Sequence, residues 1–161
     1  MTTQTHIILH NIRSVHNVGS FFRTADASGV DKIFLTGHTP TPLDRFGNVR
    51  SDVAKVALGA EKKVSWEYRK DIFSLITELK DKKLIIASVE QDKKSIDYLK
   101  IKEYKNKNLA IIFGNEVDGL EKEILGLSDV IFEIPMSGEK ESINVSVVGG
   151  IILFGRRDGK L

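Results

Sequence analysis

Ile134-Pro135-Met136-Ser137-Gly138-Glu139-Lys140-Glu141-Ser142-Ile143-Asn144-Val145-Ser146-Val147 leads a strand-like run into a polar loop and out into a second apolar run. Val130 to Ile134, which feeds it, is rich in β-branched and aromatic residues, and Pro135 removes a backbone donor where the strand must stop. Gly138 permits a turn, and Ser142 and Asn144 stand just before Val145, Val147, Val148, Ile151, Ile152 and Phe154. That apolar series is long enough for a core helix despite its β-branched content, with polar capping residues ahead of it. A loop between a buried strand and a buried helix can present backbone groups to a ligand.

Outward from that stretch, the same alternation repeats. Strands are expected at about 5–10, 32–36, 64–67, 83–88, 109–113 and 130–134, and helices at about 17–28, 52–58, 70–80, 119–126 and 145–156. Strand-helix alternation in one unit favours an α/β layer structure with a mostly parallel sheet, whose ligands bind outside the carboxyl ends of the strands. The 161 residues suit a single domain over 1–161, and no internal repeat is visible. The loop at 37–50 carries two of the three prolines and two arginines, Arg45 and Arg50, and reads either as a lid or substrate-contact loop or as a plain surface excursion.

Bulk composition narrows the chemistry. With 41% hydrophobic and 29% charged residues the chain is ordinary for a globular protein. The absence of cysteine excludes disulfides, thiolate catalysis and sulfur-bound zinc, and suits a reducing compartment, so a cytoplasmic location is expected. The amino terminus has no signal-peptide pattern and no run reaches membrane-spanning length. A net charge of +2 means that attraction to nucleic acid must come from local patches. His6, His10, His16 and His38 are scattered, no ligand spacing for a metal is present, and no metal site is expected.

Three polar constellations remain. After the first strand come Asn11, Arg13, Asn17, Gly19 and Arg23, with Asn17 placed as a helix N-cap; Arg23 either reaches the mouth of the sheet to clamp a phosphate or pairs with Asp26. Next, Phe113-Gly114-Asn115-Glu116 leaves an apolar strand, with Gly114 allowing close approach of a ligand and Glu116 either holding Arg23 or a ligand, or charging a helix start. Neither a dinucleotide fingerprint, a phosphate-binding P-loop nor a nucleophile elbow is present. The third is the 134–147 loop, where Ser142 and Asn144 are either caps or ligand contacts.

Taken together, Asn17-Val18-Gly19 with Arg23-Thr24, Phe113-Gly114-Asn115-Glu116 with Gly119-Leu120, and Ile134-Pro135-Met136 with Ser142-Ile143-Asn144-Val145-Ser146 resemble the three motifs of the SpoU-type RNA ribose methyltransferases of the SPOUT superfamily. Val56-Ala57-Leu58-Gly59-Ala60-Glu61 also looks typical of that family. The resemblance covers nearly the whole chain. It implies a parallel α/β domain with helices on both faces and a C-terminal trefoil knot, S-adenosyl-L-methionine as cofactor, and a homodimer. By residue matching it implies that Gly114, Ile134 and Ile143, with Ser88 as a further candidate, contact the cofactor, and that Arg23, Asn17, Glu116, Ser142 and Asn144 form the catalytic set.

Ile143 stands where Leu is usual, and Gly149-Gly150 in the last helix is a second departure, expected to mark close packing at the dimer interface. The implied reaction is methyl transfer to a ribose 2′-hydroxyl of structured RNA, transfer RNA before ribosomal RNA. An arginine is too strong a base to lose its proton, so Arg23 is expected to steady the developing alkoxide and grip the adjacent phosphate. No stretch before residue 5 or after residue 157 reads as an appended RNA-binding domain, so the domain's own surface, loop 37–50 and a partner subunit are expected to meet the RNA. A catalytically silent RNA-binding or assembly module of the same fold, and a small-molecule methyltransferase, are the alternative readings.

Overall fold

The computed structural model describes residues 2–157. Seven strands form one sheet in the order β3-β2-β1-β6-β4-β7-β5: β1 (Thr5–His10), β2 (Lys32–Thr36), β3 (Ser65–Arg69), β4 (Ile85–Val89), β5 (Ile96–Asp97), β6 (Leu109–Phe113) and β7 (Val130–Glu133). Every pairing between them is parallel. Parallel pairing requires a crossover between strands, and most crossovers here are helical: α1 (Val15–Ser28), α2 (Ser51–Ala57), α3 (Ala60–Lys63), α4 (Ile72–Asp81) and α5 (Lys122–Leu127); α6 (Val145–Gly155) follows the last strand. A 3₁₀ segment, Tyr98–Tyr104, precedes β6.

The central strands are apolar because both of their faces are covered. All five residues of β6 are buried. On one face Ile7, Leu9, Ile111 and Phe113 pack with Phe21 and Phe22 of α1 and Ile152 and Leu153 of α6. On the other, Ile8, Ile112 and Ile86 meet Leu75, Ile76 and Leu79 of α4 and Ile124 of α5. The expected α/β class, parallel sheet and helices on both faces are therefore present. Three short elements go beyond the sequence expectation, α3, β5 and the 3₁₀ segment. The two residues of β5 cannot display a periodicity, and they become a strand only by pairing with Phe132 and Glu133.

One local expectation needs correction. Asn17 is not the N-cap of α1, which starts at Val15 behind Ser14; the Ser14 hydroxyl accepts the Asn17 N–H at 3.2 Å. Asn17 is thereby released for a different task inside the fold. Gly149 and Gly150 also differ from each other. A Cβ on Gly149 would lie 2.8 Å from Cζ of Phe21, so this glycine lets α6 press against α1 within one chain, whereas a Cβ on Gly150 would meet nothing within 4 Å.

The end of α6 is locked by a buried arginine. The Arg156 guanidinium donates to the Thr5 hydroxyl and to the carbonyl oxygens of Tyr104 and Lys107, the last at 2.5 Å. Its Nε is buried without an acceptor, and burial pulls its pKa below the usual arginine value. Gly149→Val is expected to lower the unfolding free energy by roughly 1–3 kcal/mol through overpacking, while Gly150→Ala should be neutral or stabilising by up to about 1 kcal/mol through helix propensity. Urea unfolding followed by circular dichroism measures both; equal losses would contradict the asymmetry.

Candidate active site

The carboxyl ends of β6, β4 and β7 lie side by side, and a cleft of about 540 Å³ opens over them. Its floor is apolar, from Phe113, Phe132, Val145 and Val148, and its rim is formed by two loops, 114–119 and 134–144. A strand order that places three strand ends together leaves their following loops splayed above the sheet, which is where α/β folds collect ligands.

The first loop is built around Asn115. Its side-chain oxygen accepts the N–H groups of Val117 at 2.8 Å and Asp118 at 2.9 Å, and its amide donates to the Asn11 carbonyl at 2.8 Å. Gly114 serves this loop as much as any ligand: a Cβ there would stand 2.8 Å from the Gly119 backbone. Glu90, one residue past β4, accepts the Leu120 N–H at 3.0 Å and holds the far end of the loop.

Glu116 joins the motifs. Its Oε2 accepts the Arg13 N–H at 3.0 Å, and its Oε1 accepts the Ser14 N–H at 3.1 Å and the Asn17 side-chain amide at 3.0 Å. Asn17, only 4% exposed, accepts the Asn144 amide at 3.1 Å through its own side-chain oxygen. Asn144 in turn caps α6 by accepting from Ser146 N–H at 2.8 Å. One hydrogen-bonded chain therefore runs from the start of α1 through Glu116, Asn17 and Asn144 to the start of α6. Asn144 thus caps a helix, and it also lines the cleft.

The second loop is held from another side. Gln91 donates its side-chain amide to the Glu141 carbonyl at 2.7 Å. Ile134, Ile143 and Ser142 line the cleft beside Gly114, Glu116 and Asn144. Ser142 is exposed at the lip, and its hydroxyl has no hydrogen-bond partner among the described residues.

Two predicted residues lie elsewhere. Ser88 is fully buried in β4, where its hydroxyl pairs with that of Ser128 at 2.6 Å. Strand alternation turns it away from the cleft, and its neighbours Val89, Glu90 and Gln91 line the wall instead. Glu90 and Gln91 were missed by sequence reasoning because no motif marks them; their position just past an apolar strand was the available signal. Arg23 is exposed on α1, outside its own chain's cleft, and among the described residues it pairs neither with Asp26 nor with Glu116. Among the described residues there is also no group of three or more metal-ligating side chains, and no helix is long and apolar enough to cross a membrane.

Burial works to raise the pKa of the Glu116 carboxyl, but hydrogen bonds from Arg13, Asn17 and Ser14 outweigh it and hold the group below the ordinary glutamate value. A depressed carboxyl contributes stability above its unfolded pKa and loses it as pH falls through the folded one. Glu116→Gln, which puts an amide N–H₂ where an acceptor is needed, is expected to cost roughly 1–2 kcal/mol at pH 7, allowing for partial solvent screening. The difference from wild type should shrink between about pH 5 and pH 3, near the ordinary glutamate pKa and below it. Urea titrations at several pH values measure it, and a pH-independent difference would remove the ionised carboxylate from the account.

Residues 4–154 match the model of the SpoU rRNA Methylase family. A Staphylococcus aureus protein assigned by name to the TrmH family tRNA/rRNA methyltransferases is 31% identical over 150 residues, covering 93% of this chain and 57% of that protein. Among solved structures, an AdoMet-bound rRNA methyltransferase from Sinorhizobium meliloti superposes with a TM-score of 0.87 at 26% identity, over 98% of this chain and 57% of the other. A TrmH/SpoU tRNA modifying enzyme from A. aeolicus gives 0.82 at 25% identity, over 96% and 74%. The chain thus spans a little over half the length of the curated relatives it matches. By the extent of the match and by the fold, the chain belongs to the SpoU rRNA Methylase family.

Proposed function

We propose that this chain binds S-adenosyl-L-methionine in the cleft over β6, β4 and β7 and transfers its methyl group to a ribose 2′-hydroxyl of structured RNA, transfer RNA in preference to ribosomal RNA. The observation that carries the reading is the chain of hydrogen bonds through Glu116, Asn17 and Asn144, which ties the first motif to the two that line the cleft. The cleft fits the cofactor. Its volume of about 540 Å³ suits a nucleoside-sized ligand, its apolar floor suits a purine, and Glu90, Asp118 and Glu141 on its walls suit a positively charged sulfur and amine. The cofactor supplies an electrophilic methyl carbon on that sulfur. The preference for transfer RNA leans on the A. aeolicus tRNA modifying enzyme, of which this chain covers 74%.

The chain's own residues supply position and charge. Gly114, Ile134 and Ile143 line the cleft, and their backbone groups would hold the cofactor. Glu116 spends its oxygens on Arg13, Ser14 and Asn17, and Asn17 its amide on Glu116 and Asn144, so both act as positioning residues. The exposed Ser142 hydroxyl is free to touch the ribose. Arg23, exposed and without a carboxylate partner among the described residues, would serve the cleft of a second protomer in a homodimer, where its planar fork could grip a phosphate and steady the alkoxide. The outer side of α6 supports such a dimer, since Val147 is 52% exposed and Phe154 46%. The trefoil knot belongs to the same reading, supported by the Gln91–Glu141 and Asn17–Asn144 bonds that hold the 134–144 segment across the strand ends.

Incorporation of labelled methyl groups into total RNA tests the reading. Arg23→Ala is expected to lose at least about a hundredfold in turnover, in the range found for removing one transition-state donor. Cofactor affinity by calorimetry should stay unchanged. Mixing it with Asn144→Ala should restore part of the activity, because one cleft in the mixed dimer then has both groups intact. Equal turnover of Arg23→Ala and wild type would remove Arg23, and absence of cofactor binding by wild type would sink the reading.

A further inference from the structure

The 37–50 loop is a built element with its own chemistry. Its base is fastened to the sheet: the buried Thr39 hydroxyl bonds the Leu9 carbonyl at 2.8 Å and accepts the Ile12 N–H at 3.1 Å, while His38 N–H donates to Asn11 at 2.9 Å. The Tyr68 hydroxyl donates to the Gly37 carbonyl at 3.0 Å. Further out, Leu43 and Val49 form an antiparallel bridge, and Arg50 N–H donates to the Pro42 carbonyl at 2.9 Å. The turn closes on Asp44, whose Oδ1 accepts from Phe46 N–H at 2.8 Å and Asn48 N–H at 2.9 Å. The tip is therefore pre-shaped rather than a loose excursion.

What the tip offers is an aromatic ring with a cation on it. Phe46 is 74% exposed, and the Arg45 guanidinium lies 4.7 Å from its ring centroid. Arg45 has no ion pair among the described residues: the adjacent Asp44 carboxylate is spent on the turn, and Asp52 is taken by Arg50. No packing inside the chain calls for an aromatic residue at this position.

We infer that Arg45 and Phe46 form a stacking platform for an unpaired base of the RNA strand that enters the cleft. The inference rests on the function proposed above. A flat base has two π-faces and a phosphate on each side, which matches a rigid ring carrying a guanidinium. A base inside a duplex has its faces already stacked, so the platform selects an unpaired one.

The route to the cleft is also present. Between the loop base and the cleft lies a second hollow of about 460 Å³, lined by Asn11, Arg13 and His38 and sharing Asn115, Asp118 and Gly119 with the cleft itself. Arg13 and His38 can meet phosphates there. Two acids share its wall, Glu121, which is hydrogen-bonded to His10 3.2 Å away, and Asp118, so a phosphate must seat on the Arg13 and His38 side.

The test uses a labelled single-stranded oligoribonucleotide of mixed sequence, the same oligonucleotide annealed to its complement, and fluorescence anisotropy. Phe46→Ala is expected to weaken single-strand binding about tenfold, the scale of one lost stacked base, with little change for the duplex, and Phe46→Trp should retain it. Arg45→Ala should lower the salt dependence by about one phosphate contact. In methyl incorporation, Phe46→Ala should raise KM for total RNA and leave kcat and cofactor affinity unchanged. Equal single-strand affinity of Phe46→Ala and wild type overturns the platform, as does a change in sedimentation with RNA affinity intact, which would make Phe46 a subunit contact. Wild-type methylation in the same preparations keeps that failure distinct from failure of the transferase reading.

Discussion

The Glu116 carboxylate is the constraint on which the site depends. Its two oxygens receive three donors from residues 99 to 103 positions earlier in the chain, so one side chain fixes the start of α1 against the end of β6. Two of those donors are backbone N–H groups just ahead of a helix, which would otherwise need water or a cap. The third, Asn17, is buried and polar, and tolerable only because both ends of its amide are matched. Through Asn144 the same arrangement sets the start of α6. Cleft geometry is thus not a property of any one loop.

Charge is divided in a way that suits two ligands of opposite sign. Carboxylates at Glu90, Asp118 and Glu141 border the cleft, whereas Arg13, Arg23 and Arg45 are exposed outside it. A small cation placed inside and a polyanion laid outside would each meet the complementary field. With the whole chain near neutrality, local arrangement is what can produce such a field. The separation also explains why bulk composition said so little about partners.

Periodicity made the parallel sheet and its major helices readable, because buried strands such as β6 are apolar throughout and helices such as α4 carry a clear apolar face. It failed where tertiary contacts decide. β5 has only two residues, and α3 four, too few for any period to register. Asn17 looked like a cap because Asn favours that position, yet Ser14 took it and left Asn17 to bridge two loops. Ser88 and Glu90 are two residues apart and would share a face in a continuing strand, but the end of β4 at Val89 separates a buried hydroxyl from a group on the cleft wall. The link from Gln91 to Glu141 joins residues 50 apart and leaves no local trace in either. Motif residues were legible as a set; what each does was fixed by partners far away in the chain.

The buried guanidinium of Arg156 has a kinetic meaning. It ties the last turn of α6 to Thr5, 151 residues away, and to carbonyl oxygens of the segment before β6. None of these acceptors is in place until the first strand and the middle of the chain have met. Burying an arginine before its cage exists would cost far more than it returns. The terminal helix therefore seats late, on a preassembled sheet edge, and a sheet whose pairings are all parallel and non-local is already slow to assemble. Losing a contact that forms so late should therefore show mainly as faster unfolding.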